Sequence, residues 1–337
     1  MSTSENAKLQ YEAGQALVSM EELSDSGDAT IFNTVSTIMS DKSGKSPTTR
    51  PNGLITGGIV TPAASGTNDL IDVAALTCYL LGVNTSVNAA TDETIVRATT
   101  TDTHMINSVQ ITSAGAVSIV TGTDHASAFS ETRDADGGPP YILVGSIEIA
   151  QVRTTSFTAA AITEDEIFQV IGTHQERFDF PTYEEKLIRV SNQVIGLAGI
   201  DFASALPLSH TAGVPKKVYQ EYYTPIFADI SKTSDFVPAE TAHTVNSTTI
   251  YGGAIGSKSS SLNQASFTAY LDTGINDALV TLKNEKLWFK YFQNRLNSTP
   301  YTLTNGYLGI GRTFPPDNQN QAACTISIEE NSEEVAA

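Results

Sequence analysis

Cysteine is almost missing from this sequence, with only Cys78 and Cys324 among 337 residues. They stand far apart, with no C-x-x-C pair and no histidine cluster beside either. That excludes a zinc ribbon and a disulfide framework, and predicts two reduced thiols in a core. Cations are scarce as well: 19 Lys and Arg against 37 Asp and Glu leave a formal charge of −18. A chain so poor in Lys and Arg is a bad clamp for a phosphate backbone, because those side chains supply the affinity. Long hydrophobic runs are lacking too. The longest, Val73 to Val83, is too short to cross a bilayer and is interrupted by Thr77. Met1 to Asn6 has neither a basic start nor an apolar stretch, so the expectation is a protein made and used without membrane passage.

What is present points to strands. Hydrophobic residues make up 40% of the chain, enough for one large all-β domain or two ordinary ones. Ser and Thr fill 74 positions while charged residues reach only 17%, a mix poor in strong helix formers and suited to strands and turns. Gly/Pro/Ser/Thr clusters at Ser43–Gly58, Pro62–Thr67, Asp134–Pro140 and Gly252–Ser261 read as loops or turns. Between them lie short runs that alternate apolar and polar, as half-buried strands do. Cys324, Ile326 and Ile328 form one such set, and Phe267, Ala269 and Leu271 another. Asn107–Thr112, Ala116–Val120 and Ile142–Val152 form a second group, with Ser113-Ala114-Gly115 as a hairpin turn. Leu70–Val83 fits either period and is taken as a strand on its Val, Tyr, Thr and Ile content. Two short helices are expected. One follows the capping box Thr163-Glu164-Asp165-Glu166, and the other is capped by Asn276 and carries Ala278, Leu279 and Leu282 on one face. Leu287–Phe292 concentrates aromatics and reads as a strand buried on both faces. No repeat of fixed period is present, which disfavours a β-helix or a propeller.

The search for chemistry finds little. His104, His125, His174, His210 and His243 never approach metal-ligand spacing and sit in turn-rich contexts, so they read as solvated loop histidines. No G-x-S-x-G elbow is present, and Ser204 or Ser209 has only sequence proximity to His210 in its favour. Gly306-Tyr307-Leu308-Gly309-Ile310-Gly311 precedes no helix that would aim at an anion. It reads as a bent strand whose glycines admit another backbone, which suits a crowded assembly interface. Asp134-Ala135-Asp136-Gly137 opens like a calcium loop but lacks the later ligands, so an Asx-turn is the better reading. Glu164-Asp165-Glu166 and Glu184-Glu185 read as solvated carboxylates. No catalytic, cofactor-binding or metal-binding residue is assigned, and no cofactor is expected. A β-rich, acidic chain without a site fits an assembly component, since copies that pair edge to edge remove exposed strand edges.

The C-terminal part then carries a resemblance. Ala265–Asp272, Asp277–Glu285, Leu287–Phe292, Leu308–Asp317 and Ala323–Glu329 follow one another as strand, short helix, aromatic strand and two closing strands. In this order the chain resembles the major tail tube protein of long-tailed (siphovirus-type) bacteriophages. Gly172–Phe178, and Lys216–Tyr219 through Phe227–Asp229, are similar as well, so the likeness covers about half of the chain. It is a pattern of strands and aromatics and is less specific than a catalytic signature. The resemblance implies a mainly β protein: a β-sandwich or split-barrel tail-tube fold with one or two short helices, plus an additional β-rich domain. Residues 1–66 would form the N-terminal segment of the tube domain, with an arm from Ser24 to Gly66 reaching neighbouring rings. Residues 67–155 would form the additional domain on the outer surface, and 156–337 the remainder of the tube domain.

The function so implied is that of a non-enzymatic structural virion subunit. Six copies would close into a ring, and rings would stack into the tube through which DNA is ejected. Implied partners are the chain itself, a tape measure protein and tail terminator or tip proteins. Genomic DNA would pass without specific binding, with the protein placed in the virion tail after assembly in the host cytoplasm. An acidic wall suits such a lumen, because a basic one would hold the duplex and stall it. Negative charge would equally keep a precursor from polymerising early. Three rivals stay open: a fibre or surface-layer subunit, a phage capsid decoration or fibre protein, and an acidic polysaccharide-active enzyme.

Overall fold

The computed structural model describes residues 7–169, 183–190, 194–206, 217–316 and 318–336. The chain is mainly β, and alternation builds its largest sheet. In Gln321–Ser327 the side chains of Ala322, Cys324 and Ile326 are buried between exposed neighbours, and Ala265–Tyr270 buries Ala265, Phe267 and Ala269 in the same way. The order of antiparallel strands is Thr233–Val237, Ala265–Tyr270, Gln321–Ser327, Tyr301–Thr313, Lys286–Phe292, Lys8–Glu22, Val218–Asp229 and Thr48–Pro51. Glu333–Val335 adds to the first residues of Tyr301–Thr313.

This sheet curls back on itself. Val218–Asp229 lies beside Lys8–Glu22, and three residues further on the same chain pairs with Ala265–Tyr270. The handover is direct: Ile230 N–H donates to Leu9 C=O at 2.9 Å, and Tyr270 N–H donates to Lys232 C=O at 2.9 Å. Inside lie Leu9, Phe267, Phe289, Leu308, Cys324 and Ile326, with Leu279 from the short helix Ala278–Thr281. Leu287 and Phe289 are buried in this core, while Trp288, on the opposite face with the buried Phe292, packs against Ile38, Leu303 and Val335. The aromatic strand is thus buried on both faces, as its composition predicts.

Closure stops partway along the first strand. Lys8–Tyr11 pairs with Phe289–Phe292, but beyond Tyr11 the Lys8–Glu22 strand is followed only by Val218–Asp229 on its other side. The two strands leave the curled part as a ribbon.

A second core draws its members from Leu54 to Ile167, so it extends past both expected boundaries, 67 and 155. Three small sheets surround it. One joins Gly53–Gly57, Leu76–Leu80 and Val83–Val87; another joins Val60–Pro62, Leu70–Val73 and Ala90–Thr94. The third joins Val117–Thr121, Met105–Ile111, Ile147–Thr154 and Ile167–Gln169. The Ser113-Ala114-Gly115 turn forms as expected, Gly115 taking φ +76° and donating its N–H to Thr112 C=O at 2.8 Å. The stretch 142–146 is not strand but a loop, and Ile142 is buried there.

Several expectations need correction. Leu70–Val83 is not one strand, because Ala74 and Ala75 turn away: Ala74 N–H bonds Ile59 C=O and Gly58 N–H bonds Ala75 C=O. The capping box at Thr163 holds, with Thr163 N–H donating to Glu166 Oε2 at 2.9 Å, yet it starts a single 3-10 turn before Ile167–Gln169 enters a sheet. The later helix is four residues long and is capped by Asp277, not Asn276. Ser24–Gly66 does not project as an arm, since Ile38, Ser40, Asn52, Leu54 and Val60 are all buried in their own chain. Gly252–Ser261 is not a loop: Thr241–Ile250 and Gly253–Leu262 form a regular antiparallel hairpin.

Candidate assembly surface

The residues weighed for chemistry are dispersed or structural. His104 and His125 form a two-way backbone bridge, with N–H to C=O distances of 3.0 and 2.9 Å. His125 Nδ1 accepts the N–H groups of Ser127 and Ala128, and the His104 ring meets the edge of Phe129 at 4.8 Å. Both are half-buried and hold a loop together, which corrects the reading of them as solvated. His243 is exposed on the Thr241–Leu262 hairpin. Ser204 is exposed, while its suggested companions Ser209 and His210 lie outside the described residues, as do His174, Gly172–Phe178, Lys216 and Asp317. Asp134–Gly137 forms a tight turn, closed by Asp134 N–H to Pro139 C=O at 2.9 Å and Gly138 N–H to Ala135 C=O at 2.8 Å. Glu164–Glu166 is the 3-10 turn, and Glu184 and Glu185 lie in the Tyr183–Val190 strand. Among the described residues no group of three or more His, Cys, Asp or Glu is placed to hold a metal ion. No helix among them is long and apolar enough to cross a membrane.

The glycine-rich run is a bent strand, as expected, and it does receive another backbone. A Cβ on Gly306 would stand 2.5 Å from Ser327 O. That backbone belongs to the same chain, so Gly306 serves internal strand pairing.

Positive charge is consumed locally. Lys8 sits over the Phe292 ring at 4.4 Å, Lys45 over Tyr223 at 4.1 Å, and Lys290 over Phe227 at 4.0 Å. Burial among these rings pulls the Lys290 ammonium below its ordinary value. Lys217 pairs with Glu22, Lys232 with Asp272 at 3.2 Å, and Lys286 with Glu329 at 3.3 Å and Asp41 at 3.7 Å. In the second unit Arg97 pairs with Asp69, Arg133 with Glu148 and Arg153 with Glu131. With 37 Asp and Glu against 19 Lys and Arg, the chain keeps a surplus of carboxylates over these partners.

Two features of the backbone are unfinished. Among the described residues the Lys8–Glu22 strand has no paired strand on its outer side from Ala13 onward, and Leu17 at 53% and Ile226 at 51% are exposed on the ribbon. The hairpin Thr241–Leu262 forms a sheet of its own, and nearly every one of its residues is exposed. An open groove at its base is lined by Thr241, Ser261, Leu262, Glu329, Glu330 and Glu333. No protein-family model, no curated protein and no solved structure matches the chain.

Proposed function

We propose that the chain is a structural subunit of a phage tail tube, polymerising as stacked rings around a lumen that passes DNA. On this reading the curled sheet is the split barrel of such a subunit, and the second core is an outer domain. The observation that carries it is the sheet that closes over Lys8–Tyr11 and then opens into a ribbon with an unpaired edge. Long exposed edges are hazards that proteins cover or pair, and a ring of identical copies joined head to tail pairs each of them.

Charge supports the same reading. The chain carries a net charge of −18, with Lys217 in an ion pair and Lys290 over a ring, and a duplex centred by weak repulsion slides where a bound one stalls. Function here is mechanical, without catalysis. The test is electron microscopy and light scattering of the purified chain over a range of concentrations. Rings or hollow tubes are the expected result; a chain that stays monomeric at every concentration overturns it.

A further inference from the structure

We infer that the hairpin Thr241–Leu262 is a docking arm whose seat is the open edge of Lys8–Glu22 in a second copy of this chain. The proposal rests on the ring-forming reading and names the contact that would build the ring.

A ribbon of two strands alone is marginal in water, so a regular one implies a partner. The composition says how that partner is met. Val245 lies on one face opposite Lys258, while Ile250 and Ile255 lie on the other, and the rest is mostly Ser, Thr, Gly and Ala. Neither face has an apolar stripe, so the hairpin is built to pair by its backbone edge and not to lay a face into a groove. Each of its strands is ten residues long, which matches the stretch from Ala13 to Glu22 that none of the described strands covers on that side.

The charges agree. From Thr241 to Leu262 there is no Asp or Glu, and Lys258 is the one Lys or Arg, in a chain of net charge −18. The seat carries Glu21 and Glu22. An arm without carboxylates adds no like-charge repulsion when it meets an acidic copy.

The base of the hairpin permits a clean removal, because Asn263 N–H already donates to Glu240 C=O at 3.0 Å. Replacing Thr241–Leu262 by Asn-Gly should leave the thermal melt of the subunit unchanged and abolish every species larger than the monomer. In mixtures, Ser19→Cys should form a disulfide-linked dimer on oxidation with Ser257→Cys, Ser259→Cys or Ser261→Cys of another copy, while the two buried native thiols stay silent. Truncated protein that assembles as the full chain does, or assembled material that yields no mixed disulfide, overturns the inference while leaving the ring reading in place. Hairpin-dependent dimers without rings would support the arm and sink the ring. A full chain that is monomeric throughout overturns both.

Discussion

Glu12 accepts the backbone N–H of Trp288 on its carboxylate at 3.2 Å, one residue after the register between their strands ends at Tyr11 and Phe289. A side chain thus replaces the ladder where the sheet splits. The Ser40 hydroxyl and Gln15 Nε2 donate to the other carboxylate oxygen, and Trp288 Nε1–H is held by Met39 C=O at 2.7 Å.

Glu12 should make stability pH-dependent. Burial pushes its carboxyl above the ordinary 4.5, against the pull of Ser40, Gln15 and Trp288, with Asp41 adding to the rise. The folded chain holds this proton more tightly than the unfolded one. The contribution is therefore full below about 4.5 and is lost as pH rises through the folded value. Glu12→Gln should flatten that part of the melting-temperature profile, and parallel profiles for the two proteins would contradict the assignment. Glu12→Ala, which strands three donors, should cost roughly 3 kcal/mol in denaturant unfolding.

Gly306→Ala should destabilise the main sheet by roughly 1–3 kcal/mol, because the added methyl meets Ser327 O. Gly311→Ala is the control, since its Cβ would lie 3.6 Å from Ala323 O, an ordinary contact. Equal unfolding midpoints for the two variants would show that the strands have slack at Gly306.

The second unit has a buried ion pair at its centre. Arg133 Nη2 meets Glu148 Oε2 at 2.6 Å, and the Glu148 side chain is 0% exposed, with Ser108 Oγ donating to it at 2.6 Å. Arg133→Met leaves that carboxylate buried and short of its cation, which should cost roughly 3–5 kcal/mol. Arg133 also donates to Pro140 C=O at 2.7 Å, so the loop 122–146 should become the first site of limited proteolysis. Unchanged cleavage would separate the loop from the pair.

Burial pushes the Cys78 thiol up to about 11 and the Cys324 thiol up to about 12. Thiolate, not thiol, reacts, so both should resist a disulfide reagent at about pH 8 in the folded chain and titrate fully in denaturant. Reaction of either before unfolding would mean that its core opens.

Much of the β pattern was legible. Alternation at Cys324, Ile326 and Phe267, and the aromatic density of Leu287–Phe292, located three strands, because a half-buried strand imposes period two. The hairpin at Gly252–Ser261 was missed for the converse reason: its faces are both wet, so small polar residues mimic a loop. Ser24–Gly66 reads as an arm because it is rich in Ser, Thr, Gly and Pro and the tail-tube resemblance asks for one, and the burial of Ile38, Ser40 and Val60 depends on contacts that composition does not show. Charge totals were readable, but the placing of Lys8, Lys45 and Lys290 over rings depends on strands far apart in sequence.

The switch of one segment between Leu9 and Tyr270 has a consequence for synthesis. The first strand made must wait for Val218–Asp229 and Lys286–Phe292 before either of its sides is satisfied. At ribosomal speed that leaves it bare for at least roughly ten to forty seconds. A strand with both sides unpaired for that long is open to pairing with another chain before its own partners exist.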